Sequence, residues 1–207
     1  MKINILCDDE NSWFWQKNEN FVKELSNKGH QVSLSTKEKE LPEGDLGIFI
    51  SCTKLVSKEG LSKNSSNIVC HPSDLPEGKG FAPIAWTILD NKNDITFTLF
   101  EANEKIDDGE YYFKKNIKLT GNELNDELRQ IQADTTFDLI NEFVSSFPKN
   151  DSFPQEGSET YNRKRNPEDS ELDINKTIDE QFNLLRIVDN EKYPAFFIRN
   201  GIKYKIK

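Results

Sequence analysis

The feature that most constrains this chain is a pair of short, almost wholly apolar runs, "LGIFISC" at 46–52 and "NIVC" at 67–70. A strand that alternates apolar and polar residues has one wet face. A run without alternation must be covered on both faces, as central strands of a parallel sheet are. The segments around them fit that frame. "KINILC" (2–7) and "HQVSLST" (30–36) read as further strands. Between them, "NENFVKELSNKG" carries Phe21, Val22 and Leu25 at helical spacing and closes on Gly29. "LVSKEGLSK" reads as a short helix, and "APIAWTILDN" as a helix with Pro83 in its first turn. The order strand, helix, strand, strand, helix, strand, helix predicts an α/β fold: a doubly wound, Rossmann-like, mostly parallel sheet.

Further along, "DITFTLFEAN" (94–103) alternates strictly, and "EYYFKKNIKL" follows the turn "DDG", which predicts a hairpin on the sheet edge. A long helix is expected over 122–147, with Leu124, Leu128, Ile131, Leu139, Ile140, Phe143 and Val144 on its apolar face and Pro148 ending it. Residues 148–170 are polar and aperiodic and contain three of the eight prolines, as a linker or a functional loop would. A small helix-hairpin module follows over 171–207. Thr177 and Glu180 form a capping box ahead of Ile178, Phe182, Leu185 and Val188. A hairpin about Asn200-Gly201 is expected to bury Phe196, Phe197, Ile202, Tyr204 and Ile206. The organisation is thus a core (1–147), a polar linker or substrate loop (148–170) and the terminal module.

Several function classes are excluded or disfavoured. The formal charge is −9 at pH 7, whereas neutralising phosphate backbones needs a basic surface, so no nucleic-acid partner is expected. No run approaches the roughly 20 apolar residues of a membrane span, and the N-terminus turns acidic too soon for a signal peptide. Cys7, Cys52 and Cys70 cannot all pair and sit in or beside apolar runs, as reduced thiols of a cytoplasmic protein do. The turn after the first strand, "DDENSW", has no glycine and three carboxylates, which disfavours a phosphate cradle there. Trp13 and Trp15 beside it are expected in the core or at a pocket rim. His30 and His71 are the only imidazoles and stand in no ligand-spaced cluster, so no metal is expected.

Reactive groups of α/β sheets lie at the carboxyl ends of strands. His71 ends the 67–70 run, just ahead of the loop "PSDLPEGKG". Asp107 follows after one helix and one strand, which run out and back. A histidine beside a carboxylate can shuttle a proton or stabilise an oxyanion. On spacing alone, His71 as an ordinary strand end and Asp107 as a turn former before Gly109 remain equally open.

The stretch "NIVCHPSDLPEGKGFAPIAWTIL…ITFTLFEANEKIDDG" resembles the core of the folate-dependent formyltransferases, which include glycinamide ribonucleotide, methionyl-tRNA and sugar N-formyltransferases. That family's signature, Asn-x-His-x-Ser-Leu-Leu-Pro followed by Gly and then Asp-x-Gly, is matched in order by His71, Ser73, Leu75, Pro76, Gly80, Pro83, Asp107 and Gly109. "CTKLVSKEGL" resembles the segment before the signature, and residues 170–206 resemble the terminal module of the sugar-modifying members. The likeness is weakest across 8–45 and 148–165. It implies 10-formyltetrahydrofolate as cosubstrate, no metal, a primary amine as acceptor, and His71 and Asp107 as the catalytic pair. The loop residues Ser73, Asp74, Leu75, Pro76, Gly78 and Gly80 are expected over the pterin. The terminal likeness points to a nucleotide-linked amino sugar as acceptor, and the module admits a homodimer. Arg163, Lys164 and Arg165, the one dense basic cluster, would either contact the diphosphate or form a solvated loop.

One departure stands out. The family's asparagine falls on Val69, and Asn67 lies about 6–7 Å further back along the strand. Ser51, Thr53 or an amide of the 73–80 loop would have to supply the missing donor. Two other readings stand beside this one: a hydrolase of the same donor, which would share His71 and Asp107, and a folate- or nucleotide-binding module without turnover, which the gap at Val69 motivates.

Overall fold

The computed structural model describes residues 1–206. Its six-stranded sheet contains β1 (Lys2–Leu6), β2 (Gln31–Ser35), β3 (Gly44–Phe49), β4 (Asn64–His71), β6 (Asp94–Glu101) and β7 (Tyr111–Lys118), in the order β2-β1-β3-β4-β6-β7. The first four pair in parallel. β6 then enters antiparallel to β4, and β7 closes the edge antiparallel to β6. This is the mostly parallel Rossmann-like sheet with an edge hairpin that the apolar runs predict.

The helices are α1 (Trp13–Asn27), α2 (Lys58–Leu61), α3 (Pro83–Leu89), α4 (Asn125–Ser146) and α5 (Phe182–Ile187). α1 starts at Trp13 rather than Asn18, because Phe14 is fully buried against the sheet and extends the apolar stripe one turn back. The core forms where Phe14, Phe21 and Leu25 of α1 and Leu139, Ile140 and Phe143 of α4 meet Ile3, Ile5, Ile48, Ile68, Phe97 and Leu99. Each such side chain contributes about 1.5–3 kcal/mol on burial. Phe21 and Phe137 stack at 4.2 Å and lock α1 to α4. A second, smaller cluster of Leu6, Leu41 and Phe49 packs with Val69, Val56 and Leu61 near the strand ends.

β1 and β4 are also joined by side chains, across β3. Asn4 Nδ2 donates to Asn64 Oδ1 at 2.7 Å, Asn64 Nδ2 to Asn67 Oδ1 at 3.0 Å, and Asn67 Nδ2 to the carbonyl of Leu61 at 2.9 Å. Gly44 and Gly47 on β3 leave the space: a methyl at either would press into these carboxamides. Asn67 is therefore part of the scaffold.

The end of the chain differs from expectation in what it buries. The Thr177–Glu180 capping box forms, but Ile178 is exposed and the buried residues of α5 are Arg186 and Ile187. In the hairpin of β9 (Phe196–Arg199) and β10 (Ile202–Lys205), Phe196 is buried. Ile202, Tyr204 and Ile206 stay exposed, because the two-stranded ribbon has no layer over its outer face. Leu124 is also exposed, as it sits ahead of the first turn of α4. Two short strands, β5 (Lys79–Gly80) and β8 (Tyr161–Asn162), pair with each other outside the main sheet. No helix among the described residues is long and apolar enough to cross a membrane.

Arg186 docks α5 on the core. It is 1% exposed, reaches the carboxylate of Glu123 at 3.2 Å and Asn93 Oδ1 at 2.9 Å. Burial pushes the Glu123 carboxyl up, but the amides of Thr120 and Gly121 and the Thr120 hydroxyl pull it down by more, to about 2. An unfolded glutamate titrates near 4.3. The folded value is the lower one, so this stabilisation is complete above that pH and is lost as pH falls toward 2. Urea midpoints measured across that window are expected to fall less steeply with acid in Glu123→Gln than in the unaltered protein.

Candidate functional site

At the carboxyl ends of β3 and β4 a cavity of about 640 Å³ opens to solvent. Its floor includes Phe49, Val56, Leu61, Val69 and Phe100. Its polar lining includes Ser51, Thr53, Asn103, His71 and Asp107, with Lys54 and Lys105 also on the wall. The hairpin puts Asp107 there. Ala102 N bonds the carbonyl of Asn67 at 2.7 Å as the chain leaves β6, and the turn that follows folds back over the cavity. Trp13 also lines it, whereas Trp15 packs on the core.

His71 is 7% exposed, and its Nδ1 lies 3.8 Å from Asp107 Oδ2. Its other nitrogen, Nε2, is 2.9 Å from the carbonyl of Gly78. A carbonyl only accepts, so Nε2 carries the proton of the neutral ring and Nδ1 presents a lone pair. The ring is therefore oriented by the loop backbone. A proton arriving at Nδ1 makes an imidazolium facing Asp107. The arrangement can take a proton and then hold the resulting charge.

Asp107 is fixed through its backbone and its carboxylate. It sits at φ 49°, in the left-handed region, and its Oδ2 accepts from Gly80 N at 2.8 Å. Gly109 passes so close to β6 that an added methyl would overlap the carbonyl oxygen of Glu101. This is why glycine follows the aspartates here.

Of the six loop residues expected over a pterin, only Gly80 lines the cavity. Leu75 is fully buried, Ser73 is buried with its carbonyl taking the Thr98 hydroxyl at 2.7 Å, and Asp74 pairs outward with Lys114 at 2.6 Å. Pro76 and Gly78 face residues 157–160: the Gly157 position lies against the Pro76 ring, and Gly78 N donates to Thr160 Oγ1 at 2.8 Å. The loop shapes the site more than it lines it.

The sequence of residues 12–142 matches the model of the family described as formyl transferase. The chain belongs to that family. It is similar to the methionyl-tRNA formyltransferase of Thermosipho africanus, 31% identical over 162 residues, 78% of this chain and 51% of that protein. The chain spans about half the length of the curated relatives it matches. Among solved structures it resembles the methionyl-tRNA formyltransferase from Clostridium thermocellum (TM-score 0.80, 23% identity, 98% of this chain and 90% of that one). It also resembles a sugar N-formyltransferase from a Shewanella species (TM-score 0.72, 17% identity, 100% and 96%).

Within this formyl transferase domain, Val69 lines the cavity as an apolar residue where the sequence comparison expects a carboxamide. Of the replacements considered, Thr53 is committed elsewhere: its amide and hydroxyl both bond Asp8, at 2.6 and 3.1 Å. The loop amides of Ser73, Glu77, Gly78, Lys79 and Gly80 are bonded to His71 O, Asp74 O, Thr160 Oγ1, Thr160 O and Asp107, and Asp74 and Leu75 do not line the cavity. Ser51, at φ 52° on the cavity wall, remains.

The basic cluster splits. Arg163 is bound by Asp169, whose carboxyl it pulls down to about 2, and stacks on Trp86 at 4.9 Å. Arg165 is buried and donates to the carbonyls of Ile187 and Asp169, so it is neither solvated nor free for a diphosphate. Lys164 lies 5.7 Å over the ring of Phe81, which lines the cavity, without lining it itself. Cys52 and Cys70 also reach the cavity wall. Burial lifts each thiol to about 12, so neither offers a thiolate near neutral pH. Among the described residues no three His, Cys, Asp or Glu side chains gather as a metal site.

The sequence reading missed Gln155, Glu159 and Thr160. Gln155 Nε2 donates to the carbonyls of Asp107 at 3.1 Å and Gly109 at 2.8 Å, and Glu159 meets Lys79 at 2.8 Å. They lie in a stretch with no helix or strand, ahead of the two-residue β8, so no periodicity could have announced them. Gly109→Ala is expected to lose about 1–3 kcal/mol of stability, read from the urea midpoint, because β6 or the turn must move to admit the methyl.

Proposed function

We propose that the protein transfers a formyl group from 10-formyltetrahydrofolate to the primary amine of a nucleotide-linked amino sugar, in the cytoplasm. The observation that carries this reading is the meeting of His71 Nδ1 and Asp107 Oδ2 at 3.8 Å in one open cavity, at the positions where the family's signature expects a catalytic pair. The cavity suits the donor, since its apolar floor of Phe49, Val56, Leu61, Val69 and Phe100 fits a flat ring and its volume exceeds that of a pterin. Bound there, the donor supplies an electrophilic formyl carbon. The amine must lose a proton as it attacks, and Nδ1 of His71 is the lone pair ready to receive it. The imidazolium so formed has an N–H to offer the developing oxyanion, and Asp107 stabilises its charge; as the bond from the formyl carbon to the folate nitrogen breaks, that proton passes to the departing nitrogen and His71 is neutral again. Ser51 is the nearest candidate for a second donor in place of the asparagine.

The acceptor assignment rests on the resemblance of the terminal segment and on charge. A chain at −9 is poorly suited to tRNA, while Lys54, Lys105 and Lys164 around the cavity offer cations to a diphosphate. A second reading is hydrolysis of the same donor, in which water replaces the amine at the same His71–Asp107 pair. A panel of nucleotide-linked amino sugars incubated with the protein and donor separates the two by mass spectrometry. One formyl mass gained on one sugar is the expected result, and formate without a formylated product would establish the hydrolase. His71→Ala is expected to lower turnover roughly 10²–10⁴-fold while circular dichroism stays that of the native fold. Near-native turnover in that variant would remove His71 from the mechanism.

A homodimer is part of the same proposal. Ile202, Tyr204 and Ile206 leave an apolar face on the β9–β10 ribbon, whose β10 edge is unpaired, and a second copy can cover both. Light scattering is expected to give twice the chain mass for the unaltered protein and the single mass for Ile202→Glu.

A further inference from the structure

Residues 153–162 contribute no side chain to the cavity, yet they bond both the loop behind His71 and the turn that carries Asp107. On the histidine side, Thr160 Oγ1 accepts from Gly78 N at 2.8 Å, and the Thr160 carbonyl accepts from Lys79 N at 2.9 Å. The Asn162 carbonyl takes Phe81 N at 3.1 Å, in register with the Lys79↔Tyr161 and Gly80↔Asn162 pairing of β5 and β8. This pairing sets where the Gly78 carbonyl points, and that carbonyl is the partner of His71 Nε2. It also sets Gly80 N, the donor to Asp107 Oδ2. On the aspartate side, Gln155 clamps the turn through the carbonyls of Asp107 and Gly109, and Phe153 pairs with Tyr111 by two backbone bonds of 2.8 Å. Lys79, 1% exposed, joins the two sides: its ammonium lies 2.9 Å from Asp108 in the turn and 2.8 Å from Glu159 in the segment.

We infer that this segment is a splint for the reactive pair and that Thr160 and Gln155 are its positioning residues, acting through Gly78 and through the Asp107 turn. The inference rests on the proposed roles of His71 and Asp107. Its physical content is that the proton of the neutral imidazole sits on Nε2 only while the Gly78 carbonyl is held in place. With the splint loosened, the ring has no fixed partner and either nitrogen can carry the proton. Rings with the proton on Nδ1, which Asp107 can then accept, present an N–H where a lone pair is needed. Thr160 is exposed, so removing its hydroxyl opens no void in the core.

The chain has only two histidines, so long-range proton–nitrogen spectra of histidine-labelled protein resolve His71 from His30. In the unaltered protein above the imidazole's titration range, His71 is expected as the Nε2–H tautomer. In Thr160→Val a mixture of tautomers is expected. Turnover should drop roughly 10- to 100-fold, as small misplacements of a reacting group cost, with KM for both substrates little changed. Thr160→Ser, which keeps the accepting oxygen, should restore both. A native His71 spectrum and native turnover in Thr160→Val would overturn the inference, as would failure of Thr160→Ser to restore them. If Thr160→Val does not fold, Gln155→Ala decides: reduced turnover with unchanged KM supports the splint, and unchanged turnover overturns it. The tautomer spectra need no substrate. They therefore fail or succeed separately from the formyl-transfer reading, which the His71→Ala assay judges.

Discussion

The imidazole of His71 is held from one side by the carbonyl of Gly78 at 2.9 Å, and what the site can do follows from which nitrogen that bond occupies. Because the carbonyl can only accept, the proton of the neutral ring is confined to Nε2 and the lone pair of Nδ1 is turned toward Asp107. A lone pair beside a carboxylate is suited to receive a proton, since the cation that results is stabilised where it forms. Had the ring been held instead by Asp107 accepting from Nδ1–H, the free lone pair would lie on Nε2, against the loop. Chemistry at the cavity thus depends on the path of a loop backbone behind the ring.

That dependence explains how much of the molecule is spent on holding the 73–80 loop. Leu75 is fully buried, Thr98 bonds the Ser73 carbonyl, Lys114 reaches both Asp74 and the Leu75 carbonyl, and Lys79 is buried between two carboxylates. A buried ammonium is tolerated only when paired, and both carboxylates beside Lys79 are held below their usual range, chiefly by their hydrogen bonds to it. The loop carries a family signature, but most of that signature is structural. Its residues fix Gly78 and Gly80, and those two address His71 and Asp107.

The scaffold explains the rest of the placement. The parallel strands end at one edge and open a cavity there, and the change to antiparallel pairing at β6 sends the next turn back over it. The carboxamide ladder of Asn4, Asn64 and Asn67 ties β1 and β4 across the two glycines of β3. Asn67 is fully used in that ladder, which is why it cannot stand in for the carboxamide missing at Val69.

The amino-acid sequence by itself determined the sheet, its parallel centre, the edge hairpin and the long α4 helix. Each of these is written as a local period in apolar residues, and burial rewards that period wherever the partners come from. It also marked His71, Asp107 and Gly109, since turn chemistry and strand ends are local too. It did not determine which side chains would be spent on structure. Arg165 and Arg163 look like a phosphate site in sequence and are bound by Asp169 and main-chain carbonyls in the fold. Ile202, Tyr204 and Ile206 look like core and lie on an uncovered ribbon. Residues 153–162 look like a linker and instead bond the loop and the turn that hold the reactive pair. The last of these rests on contacts between residues some fifty to eighty positions apart, in each of which a backbone group that every residue possesses takes part. No residue type announces such a bond, and only the tertiary structure decides where it falls.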